Sequence, residues 1–324
     1  AGHRVHHHRT PEFSSALAEL LEKARPLFGT VSADILPVHA TGRAAMEGAI
    51  LNFFLPGDTV VAVCNGKFGE MWAGFAERHG LNVVRVAEDW EESADPEEVG
   101  HALEANPGAR AVLMVHSDTS TAVLNPVSEL ASVARAHGAL ALVDGISSIA
   151  GAPFEFDNWG LDFAVVSSQK CLMSSPGISL AAVGAGAWEA AERGGIPRSY
   201  LDFGSIRKTL ARPNPETPGT TPVLLVLQLL EAVRMIHEEG LTSVFERHGA
   251  MAERTRERAA GLGFSLQGRG IVNRSPSLTA LQAPDGVDPG ALRSRVRDAG
   301  IQIAVGLGPY KPSCIRIGHM GDIR

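Results

Sequence analysis

Two apolar runs in this chain end in side chains that could share a reaction. Phe163-Ala164-Val165-Val166 leads through Ser167-Ser168-Gln169 to Lys170, and Ala139-Leu140-Ala141-Leu142-Val143 leads to Asp144. Short β-branched and aromatic runs read as buried strands, and α/β proteins place their chemistry at the carboxyl ends of such strands. Burying a lysine ammonium is expensive, whereas a lysine held as an imine to an aldehyde carries no fixed charge. Asp144 precedes it by 170 − 144 = 26 residues, and an acid at one strand end with a lysine at a nearby one could hold a ring between them. Taken singly, Lys170 could equally snorkel to solvent, and Asp144 could be a helix cap or turn residue before Gly145. Together they suit pyridoxal phosphate, an aromatic aldehyde whose protonated ring accepts electrons from a substrate carbanion.

The elements that must carry these groups follow from the pattern. The spacing predicts a helix beginning at Ser14 with Leu17, Leu20, Leu21 and Leu27 on its apolar face, then a strand over Asp34–His39. Thr41-Gly42-Arg43 opens a helix to about Phe54, and its unpaired N–H groups are either simply capped or offered to a phosphate. Strands are expected over Thr59–Cys64, Asn82–Ala87, Ala111–His116 and Ile178–Val183, with helices from about Lys67 and from Asp95-Pro96. Ser117-Asp118-Thr119-Ser120-Thr121 reads as a polar loop, and His116 before it as a satisfied core histidine. These strand, turn and helix units describe a mostly parallel sheet wrapped by helices.

Asn214 to Pro222 is the one plausible flexible joint, ahead of a long helix over Val223–Glu239. Beyond Gly240 the pattern becomes helix, strand (Ser275–Gln282), helix (Pro289–Ala299) and two strands, Ile301–Val305 and Ser313–Ile317. In the last, Arg316 alternates with Ile315 and Ile317, so its guanidinium faces away from both and could capture a carboxylate with two parallel hydrogen bonds. Cys314 beside it invites a desulfurase reading with a mobile thiol, but its place inside a strand argues for a packed one.

The composition bounds the classes. A chain of 324 residues with 44% apolar and 20% charged residues is an ordinary globular protein, and a net charge of −7 offers no basic surface for nucleic acid. No apolar run reaches the ~18 residues of a membrane helix, so no membrane partner is expected. Cys64, Cys171 and Cys314 form neither a disulfide framework nor a metal knuckle, which suggests a reducing, cytoplasmic setting and no metal. His6-His7-His8 is a poor joint ligand set, since consecutive side chains share no face, and reads as a turn. A dinucleotide-binding glycine fingerprint is missing, which disfavours nicotinamide chemistry.

Val143-Asp144-Gly145-Ile146-Ser147-Ser148-Ile149-Ala150-Gly151 and Ser168-Gln169-Lys170-Cys171-Leu172-Met173-Ser174-Ser175-Pro176-Gly177 resemble the cofactor segment of class V aminotransferases. The likeness extends in order through Thr41 to Glu47, Asn65 to Gly69, His116 to Thr121 and Arg316 to Gly321, and is strongest to the alanine– and serine–glyoxylate (serine–pyruvate) branch. It implies an α/β protein of the pyridoxal phosphate fold type I, with a seven-stranded sheet in a large domain over 31–239. A short amino-terminal segment would occupy 1–30 and a smaller α+β domain 240–324, with further residues expected at both ends. Lys170 would hold the cofactor and move the proton, and Asp144 would hold the ring nitrogen. Phe68 would stack on the ring, and Thr41, Gly42, Arg43, Ile146 and Gln169 would surround the cofactor. Thr119 would touch cofactor or substrate, and Arg316 the substrate carboxylate. From the joint, Thr217, Thr220 or Thr221, with Thr220 preferred, would reach the cofactor phosphate of a second copy, making a homodimer with shared sites.

The implied activity is ping-pong transfer of an amino group from alanine or serine to glyoxylate or pyruvate. Alternatives on the same scaffold are an aspartate or ureidoglycine transaminase, a desulfurase or lyase, and a non-catalytic subunit that binds a partner.

Overall fold

A computed structural model describes residues 7–323. The chain opens with helix α1 (Pro11–Phe28), strand β1 (Asp34–Val38), α2 (Gly42–Phe53), β2 (Thr59–Val63), α3 (Lys67–Arg78), β3 (Asn82–Val86), α4 (Pro96–Ala105) and β4 (Ala109–Val115). A hairpin of β5 (Ser117–Asp118) and β6 (Val123–Leu124) follows, then α5 (Val127–Ala136), β7 (Leu140–Asp144), α6 (Phe156–Trp159), β8 (Phe163–Ser167) and β9 (Ser179–Val183). After α7 (Ala185–Glu192), α8 (Phe203–Leu210) and α9 (Val223–Glu239) come α10 (Leu241–Gly261), β10 (Ser265–Leu266), β11 (Leu278–Gln282), α11 (Pro289–Asp298), β12 (Ala304–Val305) and β13 (Cys314–Gly318).

Seven strands form one sheet in the order β1-β9-β8-β7-β4-β2-β3. β2, β3, β4, β7 and β8 pair in parallel, and β9 runs against both β8 and β1, so β9 alone is reversed. From β2 the chain steps one way to β3 and then back across to β4, the kind of reversal beside which open sheets bind ligands. Both faces are covered, and alternate side chains show it. Val61, Val63, Ala141, Val143, Ala164 and Val166 enter one core with α1, α5 and α9. Val60, Ala62, Leu142, Phe163 and Val165 enter the other with α2 and α3. There Phe163 and Phe203 stack at 6.1 Å, with Phe53 and Trp72 against them.

A second sheet, β10-β11-β13-β12, is antiparallel and carries its own small core of Leu281, Ile315 and Ala259, with Ile317 and Leu292 against it. Its register sets Arg316 opposite Ala280 on one side and Ala304 on the other.

Several expected boundaries shift. The first helix starts at Pro11 with Thr10, not Ser14, as its cap, and Ser14 is buried inside. Thr10 accepts the Phe13 N–H at 3.4 Å, and Pro11 suits the first helical position. The turn before it is closed by the Thr10 N–H on the His7 carbonyl at 3.1 Å. His6 lies outside the described residues. β11 begins three residues late because the Ser275 and Ser277 hydroxyls bond one another at 2.9 Å, offering the backbone an alternative to the ladder. Among the described residues no helix is long and apolar enough to cross a membrane.

Helix α1 ends at Gly29, whose φ is 64° and whose Cβ, were there one, would sit 2.4 Å from the Phe154 carbonyl oxygen. The chain is then pinned by Asp157, which accepts from Thr30 Oγ1 (2.7 Å), the Val31 N–H (2.7 Å) and Ser32 Oγ (2.8 Å). Burial alone would raise the pKa of this carboxyl, but these bonds outweigh it and hold the pKa below its usual range. A group depressed on folding contributes stability above its unfolded value and loses it as pH falls. Asp157→Ala is therefore expected to cost about 1–3 kcal/mol at neutral pH. The difference from the unsubstituted protein should shrink below about pH 4, as urea midpoints would show.

Candidate active site

A cavity of about 220 Å³ opens at the carboxyl edge of the large sheet, and the ends of five strands supply its wall. The turn after β1 gives Thr41, Gly42 and Arg43, and that after β2 gives Phe68. Ser117 follows β4, Asp144, Ile146 and Ser147 come from the end of β7, and Ser167, Gln169 and Lys170 from the end of β8. Of the residues expected from the sequence, Lys170, Asp144, Thr41, Gly42, Arg43, Phe68, Ile146 and Gln169 are thus brought together.

Asp144 is buried and accepts one backbone bond, from Ile146 at 2.8 Å. Loss of water pushes its carboxyl up to about 7, partly offset by that bond; the nearby Asp118 adds to the rise and Lys170 opposes it. The side-chain amine of Lys170 makes no hydrogen bond or ion pair among the described residues. Burial, reinforced by the charge of Arg316, pushes its amine down, which favours the neutral, nucleophilic form. A carboxyl deprived of water that wants a cation thus shares one wall with an amine already inclined to lose its proton.

At another part of the rim, Thr41 caps α2 in extended geometry without bonding the helix through its hydroxyl. The Gly42 N–H reaches Ser167 Oγ at 3.2 Å, and Ser167 Oγ donates to Gln169 Oε1 at 2.7 Å, so the Gln169 amide has N–H groups left to give. Helix dipole, hydroxyl and amide donors make an anion cradle. Cradle, aromatic wall, carboxyl and amine fit phosphate, ring face, ring nitrogen and aldehyde of pyridoxal phosphate.

Arg316 and Thr119 lie outside this lining. Arg316 donates through Nε to the Val305 carbonyl (2.9 Å) and through Nη1 to the Thr119 carbonyl (2.9 Å), leaving the far end of its fork for a ligand. The Thr119 contribution is thus its backbone oxygen; its hydroxyl does not enter the cavity wall as expected. Thr220 is apart again, exposed on a separate cavity of about 230 Å³ with His39 and Tyr200. Thr217 and Thr221 are buried against one another, their hydroxyls 2.6 Å apart, so Thr220 is the exposed one of the three.

The sequence reading missed Ser117, Ser147 and Ser167 as wall residues, although each follows a strand end. Ser117 Oγ donates to Ser275 Oγ (2.8 Å), Ser275 meets Ser277 (2.9 Å), and Ser277 Oγ donates to the Ser147 carbonyl (2.6 Å). This hydroxyl chain runs from the cavity through the segment before β11 and back. His116 is buried between Phe154 and Trp159, with its pKa driven down to about 3 by loss of water. It is core, as expected, but not satisfied: Nδ1 has no partner among the described residues. Among the described residues no group of three or more His, Cys, Asp or Glu could hold a metal ion.

The chain matches the class V aminotransferases over residues 1–324 and belongs to that family. It is a pyridoxal-phosphate-dependent transaminase of fold type I. It is 36% identical over 320 residues to the small subunit of a soluble hydrogenase from Synechococcus sp., covering 98% of this chain and 82% of that one. To the serine–glyoxylate aminotransferase of Methylorubrum extorquens it is 34% identical over 327 residues, covering 98% and 81%. The crystal structure of alanine–glyoxylate aminotransferase from Nostoc sp. superposes with a TM-score of 0.92 at 32% identity, covering 99% of this chain and 85% of that one.

The Cys314 thiol donates to Gln267 Oε1 (3.0 Å) and Gln282 Oε1 (3.1 Å) and is buried, the opposite of a mobile nucleophile. Burial also pushes the Cys64 and Cys171 thiols up to about 12. An aromatic disulfide reagent should therefore titrate none of the 3 cysteines in the native protein and all of them after denaturation. One fast-reacting thiol in the native state would reopen the desulfurase reading.

Proposed function

We propose that this transaminase moves the amino group of a small L-amino acid, alanine or serine, to glyoxylate or pyruvate in two half-reactions at the cavity around Lys170. The observation that carries the reading is one wall holding a partnerless amine and a desolvated carboxyl, with a half-used guanidinium fork in reach. Glyoxylate as acceptor is supported by the serine–glyoxylate and alanine–glyoxylate names of two of the relatives above.

When bound, pyridoxal phosphate supplies an aldehyde that joins to amines and a protonated ring that draws electrons from the adjoining carbon. Asp144 would hold the ring N–H as an ionic hydrogen bond, and the ring's positive charge would return the carboxyl to its charged form. The helix α2 N-terminus, Thr41 and Gln169 would take the phosphate, and Phe68 would lie on the ring face. Arg316 would grip the substrate carboxylate and so turn its Cα–H bond toward Lys170. The Nζ of Lys170, whose surroundings favour its neutral form, would take the Cα proton and deliver it to the cofactor's aldehyde carbon.

The residues also suit a homodimer in a cytoplasmic setting, with Thr220 presented to the phosphate of a second copy. A large cofactor-binding domain to about 239 and a small domain from 240 belong to the same reading. A partner-binding role, suggested by relatives named as hydrogenase subunits, gives no use to a half-buried amine that shares a cavity wall with a buried acid.

Lys170→Ala should abolish the visible absorbance of lysine-bound pyridoxal phosphate and lower transamination at least about a thousandfold, measured with L-serine or L-alanine against glyoxylate and pyruvate. Normal turnover in that variant would end the proposal. Arg316→Lys should raise the KM for both amino and oxo acid roughly 10- to 100-fold while cofactor retention stays unchanged, because a lysine cannot reproduce the fork. An unchanged KM would assign the arginine another task.

A further inference from the structure

We propose that Asp118 is a positioning residue of the site, whose carboxylate sets the Phe68 wall of the cavity and, through its own turn, the reach of Arg316. The inference rests on the function proposed above and deepens it.

Helix α3 begins after Gly66 with no side chain of its own to cap it. Its first N–H groups are answered instead from the β5–β6 hairpin. One Asp118 oxygen accepts from Phe68 (2.8 Å) and Gly69 (3.4 Å), and Ser120 Oγ accepts from Lys67 (2.9 Å). The other Asp118 oxygen accepts the Ser120 N–H (2.9 Å) and hydroxyl (2.6 Å). The buried carboxylate is therefore saturated from both sides, and the helix dipole offsets its charge. Thr119, the residue between, gives its carbonyl to Arg316 at 2.9 Å. Three consecutive residues thus hold the helix that bears Phe68 and the arginine of the other sheet in one fixed relation.

Gly66 is a second, independent observation. A Cβ there would lie 2.2 Å from Asp118 Cγ and 2.4 and 2.7 Å from its oxygens. Its φ of 178° is extended backbone open to any residue, so the missing side chain serves the approach of the carboxylate and not the turn. Asparagine at 118 would keep the shape but turn an NH₂ toward N–H donors on one side, and so lose half of the cap.

The test compares purified holoenzymes carrying Asp118→Asn, Gly66→Ala, Asp118→Ala and the Gly66→Ala/Asp118→Ala pair. Asp118→Asn is expected to unfold cooperatively, to lose roughly half of the visible circular dichroism of bound pyridoxal phosphate, and to release the cofactor about tenfold faster. Its KM for amino and oxo acid should rise about tenfold, with a smaller change in kcat. Gly66→Ala, which leaves the charge in place and displaces it, should give the same signature. In the Asp118→Ala background, Gly66→Ala should change none of these readings further. A folded Asp118→Asn protein with unchanged dichroism and KM overturns the proposal, and so do additive effects of the two substitutions. If Asp118→Asn does not fold, Gly66→Ala and the double variant decide in the same way. An unsubstituted chain that takes up no pyridoxal phosphate refutes the function itself. One that does, and transaminates, beside indistinguishable Asp118→Asn and Gly66→Ala variants refutes only the positioning role.

Discussion

The withdrawal of water from two opposite charges governs this molecule. Asp144 and Lys170 stand at the ends of neighbouring parallel strands, and among the described residues neither has a salt-bridge partner. An isolated buried ion is costly, so each drifts toward its neutral form. A site kept in that condition is incomplete until a molecule arrives that offers a cationic N–H to one and a carbonyl carbon to the other. The fold spends its regularity on maintaining this tension: apolar strands flank each group and helices cover both faces of the sheet, which leaves Asp144 buried and Lys170 half-buried at the edge of the cavity.

Much of the large sheet was legible because its strands are buried on both faces and read as continuous apolar runs. The acid and the amine stood out for the same reason, as polar residues where such runs stop. Their sharing of one cavity could not be derived from spacing, since 26 residues fit many geometries; the parallel pairing of β7 with β8 is what brings both to the same wall. Thr41 and Gly42 were ambiguous until the helix start was seen beside Ser167.

The readings that failed were local competitions. Ser14 looked like a cap, but Thr10 followed by Pro11 is the better start, and its hydroxyl is close enough to take the third N–H. Ser117 to Thr121 looked like a plain polar loop, yet it opens a hairpin with Val123–Leu124, and Ala122 in the turn adopts a φ of 61°. Ser275 and Ser277 looked like strand residues, but their hydroxyls bond one another and Ser117 instead. Serines that line the cavity carried no signal of their own, because a serine after a strand is ordinary turn chemistry. Arg316 was placed on the correct face by alternation alone, while its two carbonyl partners come from segments no periodicity could join.

The reversed strand β9 has a bearing on how Lys170 moves. Because β9 returns directly alongside β8, the connecting loop is a hairpin anchored at both feet, with Ser167 opposite Ser179. Ser168 bonds Ile178 and receives Ser174, Ser168 Oγ donates to the Ser175 carbonyl, and Met173 donates to Lys170. The main chain beneath the amine is therefore a stationary platform. Whatever stroke the reaction asks of Lys170 is delivered by its four-carbon stem, so its travel is bounded by the length of one side chain.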